Sequence, residues 1–360
     1  MDPQTEPRFI QHHPSFSKIV GRDARYQLLC ESQFPLFHEA CIFDPRDNSV
    51  FVTSNQLHND AGHDSADTDN KHVKLTCIRD TVGGEAVVQE ISFPGSDHAM
   101  LNGGVNFGHG TILLCAQGSK NPSDISGIIS LGIPPPGYGA PPRVVVDSFH
   151  GIPFNSVNDV VVSPTDGSIW FTDPSYGHGQ GIRRAPQLPN QVYRYDPHTK
   201  TIRAVADGFV RPNGLCFSPD LRTLYVTDTG AIHGSPDVPI DLSGPSHIYA
   251  FDVVHVASDD SDSESSSKEP FLANKRLFAY APGRFPDGIK CDTAGNVYAG
   301  CGDGVEVWNK AGVQIGTMAI PGGVANFCFG RQGVIYACNE TRLWKIFLEA
   351  DTVKGALLGI

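Results

Sequence analysis

Six oxygen-bearing side chains, Glu39, Asn102, Asn158, Asn213, Asp287 and Asn326, open six look-alike segments of a 360-residue chain. Each begins a short run of β-branched or aromatic residues, as in NDVVVSPTDGSIWFTD from Asn158 and DGIKCDTAGNVYAG from Asp287. Gathered in one place, two carboxylates and several carboxamide oxygens suit a hard divalent cation, since calcium takes roughly six to eight oxygen ligands and tolerates irregular geometry. Softer metals favour histidine or cysteine. Taken singly, Asn-Gly and Asp-Gly are ordinary turn formers. Recurrence at one register in six segments makes them a candidate site. Calcium is the expected ion, with other divalent cations as alternatives. Asp287, at the mouth of an otherwise apolar hairpin, then has a reason to be there: a cation neutralises a carboxylate that is expensive to desolvate.

The elements that would position these residues are hairpins. The remaining segments are HEACIFDPRDNSVFVTS from His38, NGGVNFGHGTILLCAQ from Asn102, NGLCFSPDLRTLYVTD from Asn213 and NFCFGRQGVIYAC from Asn326. In each, two short apolar strands flank a turn rich in Gly, Asp and Asn, such as Asp166-Gly167 or Ala294-Gly295-Asn296. The six starting residues are separated by 63, 56, 55, 74 and 39 residues, which leaves room for two further strands in most repeats. Candidates for these outer strands are residues 190–207 and 247–258. The pattern predicts an all-β fold, a six-bladed β-propeller with four-stranded blades, as a single domain over 1–360. The longest interval contains SDDSDSESSSKE at 258–269, whose five acids and one lysine read as a solvated insertion between outer strands. Ring closure requires the chain ends to meet, and Tyr26–Cys30 with LWKIFLEA near the C-terminus are expected to complete the last blade.

In such a ring the innermost strands run in one direction, so their first residues converge at one end of a central channel. The second strand of each hairpin returns the chain to that end. Asp173, Tyr176, Asp228 and Thr229 are therefore expected to approach the site face, with Tyr176 placed to pack against a substrate. His38 adjoins Glu39, and strict strand alternation would turn it behind the carboxylate. His109, His178 and His233 lie in turn-rich segments where a solvated loop histidine is the ordinary reading.

Composition narrows the classes. Hydrophobic residues form 40% of the chain and charged residues 18%, a globular balance. The formal charge of −12 is the wrong sign for a phosphate backbone, so no nucleic-acid partner is expected. The opening MDPQTEPRFIQHHPSF lacks a basic start followed by an apolar run, and no stretch reaches the roughly 18 apolar residues of a membrane span. Nine cysteines, mostly among apolar neighbours and without a CxxC pair, read as buried free thiols in a reducing, cytoplasmic compartment.

LFHEACIFDPRDNSVFVTSNQ (36–56), NSVNDVVVSPTDGSIWFTDPSYG (155–177), VRPNGLCFSPDLRTLYVTDTG (210–230) and RFPDGIKCDTAGNVYAG (284–300) give the chain a specific likeness. Over nearly its whole length it resembles the senescence marker protein/gluconolactonase/luciferin-regenerating family of calcium-dependent propellers, most closely the fungal lactonohydrolases. That resemblance implies Glu39, Asn158, Asn213 and Asp287 as calcium ligands, and Asn102 and Asn326 at more variable channel positions. Asn102, Asn326, Tyr176 and His38 are the candidate substrate contacts. The implied chemistry is hydrolysis of a small-molecule lactone, with the ion as Lewis acid and Asp287 as general base or nucleophile. Hydrolysis of a phosphotriester or a secondary-metabolite ester, and a non-catalytic binding platform, stay open as alternatives.

Overall fold

The computed structural model describes residues 6–58, 71–81, 85–95, 99–108, 110–133, 141–235, 237–257 and 268–359. Most of the acidic Ser-rich insertion, and His109, lie outside these residues.

The six hairpins form as their turn residues dictate. Gly167 and Gly295 adopt φ values of 70° and 87°, a region closed to most side chains, and so close the tight turns of two of them. Each hairpin is the inner half of an antiparallel four-stranded blade. The first blade comprises Glu39–Asp44, Ser49–Thr53, Leu75–Arg79 and Val87–Ile91, and the second Leu101–Asn106, Thr111–Ala116, Gly127–Gly132 and Arg143–Val146. The third runs through Val160–Val162, Ile169–Asp173, Gln191–Asp196 and Thr201–Ala206. The fourth contains Pro212–Phe217, Thr223–Asp228 and two long outer strands, His247–Ala257 and Lys268–Tyr280. The fifth is built from Ile289–Cys291, Val297–Cys301, Gly304–Trp308 and Gln314–Ala319. Phe327–Phe329, Val334–Asn339 and Arg342–Phe347 supply three strands of the sixth.

The N-terminal segment closes the ring. Arg25–Glu31 pairs antiparallel with Arg342–Phe347 as the outermost strand of the sixth blade, as the sequence led us to expect. Arg8–Gln11, which had no signal in the repeat pattern, adds to Gln314–Ala319 as a fifth strand and covers the outer edge of the fifth blade.

Stability resides between the blades. Six apolar clusters each draw on two neighbours: Trp170 and Leu224 join the third and fourth blades, and Tyr298 and Phe327 the fifth and sixth. Phe43 and Tyr336 join the first and sixth, so the circle is packed without a gap. Burying one such side chain contributes about 1.5–3 kcal/mol. All nine cysteines are free thiols, eight of them buried in these layers. Among the described residues no helix is long and apolar enough to cross a membrane.

Candidate functional site

Inner strands crowd at the axis, and their start sequences show how. In the first blade the register slips between Glu39 and Ile42, where Ala40 and Cys41 take φ values of 61° and 52°. Similar irregularities fall at Asn102-Gly103 and Asn213-Gly214. A bulge re-aims the side chain beside it, here towards the channel. The glycines allow close approach of adjacent inner strands. A Cβ on Gly103 would strike Asn158 and Asp159, and one on Gly214 would strike the carbonyl of Asp287. The Gly103 N–H instead donates to the Asn158 carbonyl at 2.8 Å.

Threonines from the second strands fasten three of the starts to the preceding blade. Thr53 Oγ1 donates to the Asn102 carbonyl at 2.9 Å, Thr172 to that of Asn213 at 2.7 Å and Thr227 to that of Asp287 at 2.9 Å. These hydroxyls were not singled out by the sequence reading, although the repeated VTS, FTD and VTD endings carry them.

The outcome is a cavity of about 310 Å³ at one end of the channel. Glu39, Asn102, Asn158, Asn213 and Asp287 line it together, from five blades, and so do His38, Tyr176 and Thr229. Asn326 does not line it. Its Nδ2 donates to Glu39 Oε2 at 2.8 Å, while its Oδ1 accepts from the Phe327 N–H at 2.8 Å, so the side chain is consumed behind Glu39. Asp173 and Asp228 also turn away from the cavity. Each carboxylate accepts two backbone N–H groups of the loop leading into its own blade, Asn155 and Ser156 for one, Val210 and Arg211 for the other.

His38 faces the cavity beside Glu39 rather than packing behind it. It precedes the regular strand, and alternation does not govern a residue outside the ladder. Its Nδ1 sits 2.6 Å from Glu340 Oε1, and Glu340 Oε2 accepts from Asn55 Nδ2 at 3.1 Å. Glu340 lies on the tight turn before Arg342–Phe347, and only ring closure brings it to His38. The carboxylate's charge and hydrogen bond raise the imidazole's proton affinity against the opposing effect of burial.

The hydrogen bonds at the cavity leave some buried oxygens without a partner. The Asn213 Nδ2 is held by Thr229 Oγ1 at 3.3 Å, which itself donates to the Pro286 carbonyl at 2.6 Å, and this fixes which end of the amide is spent. Asn158 Oδ1 is buried with no hydrogen-bond partner, and so is Asp159 Oδ2 just below it. Orphaned buried acceptors of this kind are rare and costly. Burial, then the charge of Asp287, holds Glu39 well above the ordinary carboxylate range. Burial and the charge of Asp159 push Asp287 up to about 7, against hydrogen bonds from Glu39 and Asn213. Asp159 is raised by burial as well, with Lys290 opposing. Neighbouring buried carboxylates cannot all ionise without a counter-charge, and a cation among them removes the conflict. Among the described residues no three His, Cys, Asp or Glu side chains form a metal cluster by themselves. An ion held here would need carboxamide oxygens beside the carboxylates, which is a hard-ion donor set.

Residues 140–234 match the family model described as the SMP-30/Gluconolactonase/LRE-like region. Lactonohydrolase oryL of Aspergillus oryzae is 32% identical over 214 residues, 57% of this chain and 45% of that protein. Gluconolactonase of Zymomonas mobilis is 31% identical over 198 residues, 53% of this chain and 49% of that protein. The matched region thus spans under half the length of either curated relative. Among solved structures, the gluconolactonase XC5397 from Xanthomonas campestris superposes with a TM-score of 0.69 at 24% identity, covering 95% of both chains. The match over residues 140–234, together with the propeller and its repeated hairpin mouths, makes the chain similar to the SMP-30/gluconolactonase/LRE-like family.

Proposed function

We propose that the chain is a calcium-dependent hydrolase that opens a small-molecule lactone, with Glu39, Asn158, Asn213 and Asp287 holding the ion. The observation carrying this reading is the convergence of these four side chains, from four blades, on one cavity that contains an orphaned Asn158 oxygen. The names of the relatives support lactone hydrolysis as the reaction class. The nine free thiols support a reducing, cytoplasmic compartment.

When bound, the ion would supply Lewis-acid polarisation of the ester carbonyl. The chain's own residues provide the rest. Asp287 is the candidate base, accepting a proton from the attacking water and returning it to the ring oxygen as the C–O bond breaks. Asn102, Tyr176 and His38 line the cavity where the lactone body would sit. Tyr176 is oriented by its hydroxyl, which donates to the Thr229 carbonyl at 3.2 Å.

A second assignment of the base rests on the His38–Glu340 contact. A carboxylate that binds a cation is a weak base, whereas an imidazole oriented by a carboxylate is the usual proton acceptor near neutrality. Both assignments share one test of the function. Aldonolactones and aliphatic lactones are offered to chelator-stripped protein with and without Ca²⁺. Opening of at least one lactone that is lost with chelator and restored by Ca²⁺ is expected, and inertness across the panel with the ion bound would sink the reading.

A further inference from the structure

Loops from three blades meet at the mouth cavity. Gln56 follows the second strand of the first blade, and its Nε2 donates to Gln180 Oε1 at 2.8 Å. Beside it, Lys71, from the short ribbon of Leu57–His58 and Lys71–His72, donates from Nζ to the Gln180 carbonyl at 3.2 Å. Gln180 itself ends the helical turn Tyr176–Gly179 that follows the inner hairpin of the third blade. On its other side lies Gly234, from the loop after the second strand of the fourth blade. Gly234 has a φ of 90°, and a Cβ there would crowd Tyr176 Cδ1 at 3.1 Å and Gln180 Cγ at 3.3 Å. The first and fourth blades of a six-bladed ring stand opposite each other, so this line of contacts crosses the mouth. Gln56, Gln180 and Gly234 line the same cavity as Glu39 and Asp287.

The crossing is anchored just beyond Gln180. Ile182 is 3% exposed and packs in the apolar cluster of the first and second blades, which also contains Val73 and Leu101. Arg183 donates from Nε to the Asn155 carbonyl at 2.9 Å, from Nη1 to that of Ser119 at 2.8 Å and from Nη2 to that of Phe154 at 2.9 Å. A backbone held at residues 182 and 183 leaves the Gln180 side chain as a wall, and the bond from Gln56 fixes its amide. Walls locked by packing and hydrogen bonds are what allow a pocket to discriminate by size.

We propose that the Gln56–Gln180 clasp determines specificity, restricting the site to compact lactones without long ring substituents. A small ring fits a cavity of about 310 Å³ that is closed on this side. A long alkyl chain on the ring has to push the Gln180 amide aside and break its bond to Gln56. The clasp is a specificity device and not part of the chemistry, since neither amide belongs to the proposed ligands or to the candidate bases. This inference deepens the lactone reading above and rests on it.

The test compares kcat/KM for δ-valerolactone and for δ-decalactone, which carries an added pentyl chain, using full-length protein with Ca²⁺ present. Wild type is expected to prefer the unsubstituted ring. Gln180→Ala is expected to raise the decalactone-to-valerolactone ratio about tenfold, the low end of the roughly 10–200-fold that a methylene-sized change in a pocket yields. Gln56→Ala, on the other side of the clasp, should move the ratio in the same direction, because the Gln180 amide is then free to turn away. Both residues are half-buried at the rim, and circular dichroism checks that each variant folds. Ratios within about twofold of wild type in both variants would overturn the proposal and leave lactone hydrolysis standing. A shift in Gln180→Ala alone would also overturn it, since the wall would then owe nothing to Gln56. So would a wild type that opens decalactone as readily as valerolactone, or that opens neither while opening an aldonolactone. A wild type that opens no lactone at all overturns the reading of the reaction, and this inference with it.

Discussion

Asn326 donates its amide to the Glu39 carboxylate at 2.8 Å, so the last blade grips a side chain of the first across 287 positions of sequence. The bond is fully buried, and hydrogen bonds to charged groups contribute about 1.5–3 kcal/mol. Asn326→Leu removes the donor while leaving the carboxylate in place. The expected result is Ca²⁺ affinity lowered about 10–100-fold with the fold retained, read by calorimetry beside far-UV circular dichroism. Unchanged affinity would mean that Glu39 is held without its neighbour.

Gly214 tests the close approach of blades at the axis. A Cβ there meets the Asp287 carbonyl, whereas one on Gly132, in a third strand, meets nothing. Gly214→Ala is expected to cost about 1–3 kcal/mol through overpacking and to weaken the ion, because Asp287 must shift. Gly132→Ala should stay within about 0.5 kcal/mol of wild type. Chemical denaturation of the two variants side by side makes the comparison.

Much of this architecture was legible because a propeller repeats its local chemistry. Asp166-Gly167 and Ala294-Gly295 announced hairpins, Glu39 through Asn326 announced a common ring, and Tyr26–Cys30 announced the closing strand. What escaped depends on contacts that no local pattern encodes. Arg8–Gln11 is four residues long and is defined only by the edge it covers. Glu340 acquires meaning when ring closure sets it against His38, about 300 positions away. Asn326 shares the register of the ring, yet its amide faces Glu39 and Lys290 rather than the cavity, a choice set by packing between blades. Thr53, Thr172 and Thr227 read as ordinary strand residues until the neighbouring blade's carbonyl is placed beside each hydroxyl.

Removal of the ion should be visible in stability as well as in activity. Glu39, Asp159 and Asp287 are mutually repulsive in an enclosed volume, and a ligand bound only by the native state stabilises it by about 2.7 kcal/mol at a hundredfold excess over Kd. Ca²⁺ is expected to raise the melting temperature of stripped protein, and Asp287→Asn should abolish most of that rise. Scanning calorimetry with and without Ca²⁺ reads both. An equal rise in wild type and variant would place the ion elsewhere.

A pH dependence of stability unrelated to the cavity follows from Glu306. This residue is fully buried in the third strand of the fifth blade, with Arg284 Nε 2.5 Å from its Oε1. Burial, reinforced by Asp303, pushes its carboxyl up to about 8 despite Arg284. The folded protein therefore keeps a proton that the unfolded chain releases near its ordinary value of 4.5. Its contribution to stability is complete below that value and is lost as pH rises through about 8. Glu306→Gln, which keeps the neutral form, should flatten the decline in melting temperature between about pH 5 and 8. An unchanged slope would show that Arg284 keeps Glu306 ionised throughout.

The identity of the base can be separated from the integrity of the ion site, because the two candidates differ in what they hold. Asp287 stands among the proposed ligands, so Asp287→Asn should lower Ca²⁺ affinity and turnover together. His38 is tied to Glu340 at 2.6 Å and lies outside the ligand set. If His38 takes the proton, His38→Gln should reduce kcat about 100-fold or more, a typical yield of general base catalysis, with Ca²⁺ affinity unchanged. Glu340→Gln keeps the imidazole but removes the partner that raises its proton affinity. It should retain partial turnover and move the acidic limb of the kcat profile to lower pH. If Asp287 is the base, His38→Gln changes KM more than kcat, since the imidazole then only lines the substrate cavity. Steady-state kinetics of the three variants on the lactone opened fastest, paired with Ca²⁺ titrations, separate these patterns.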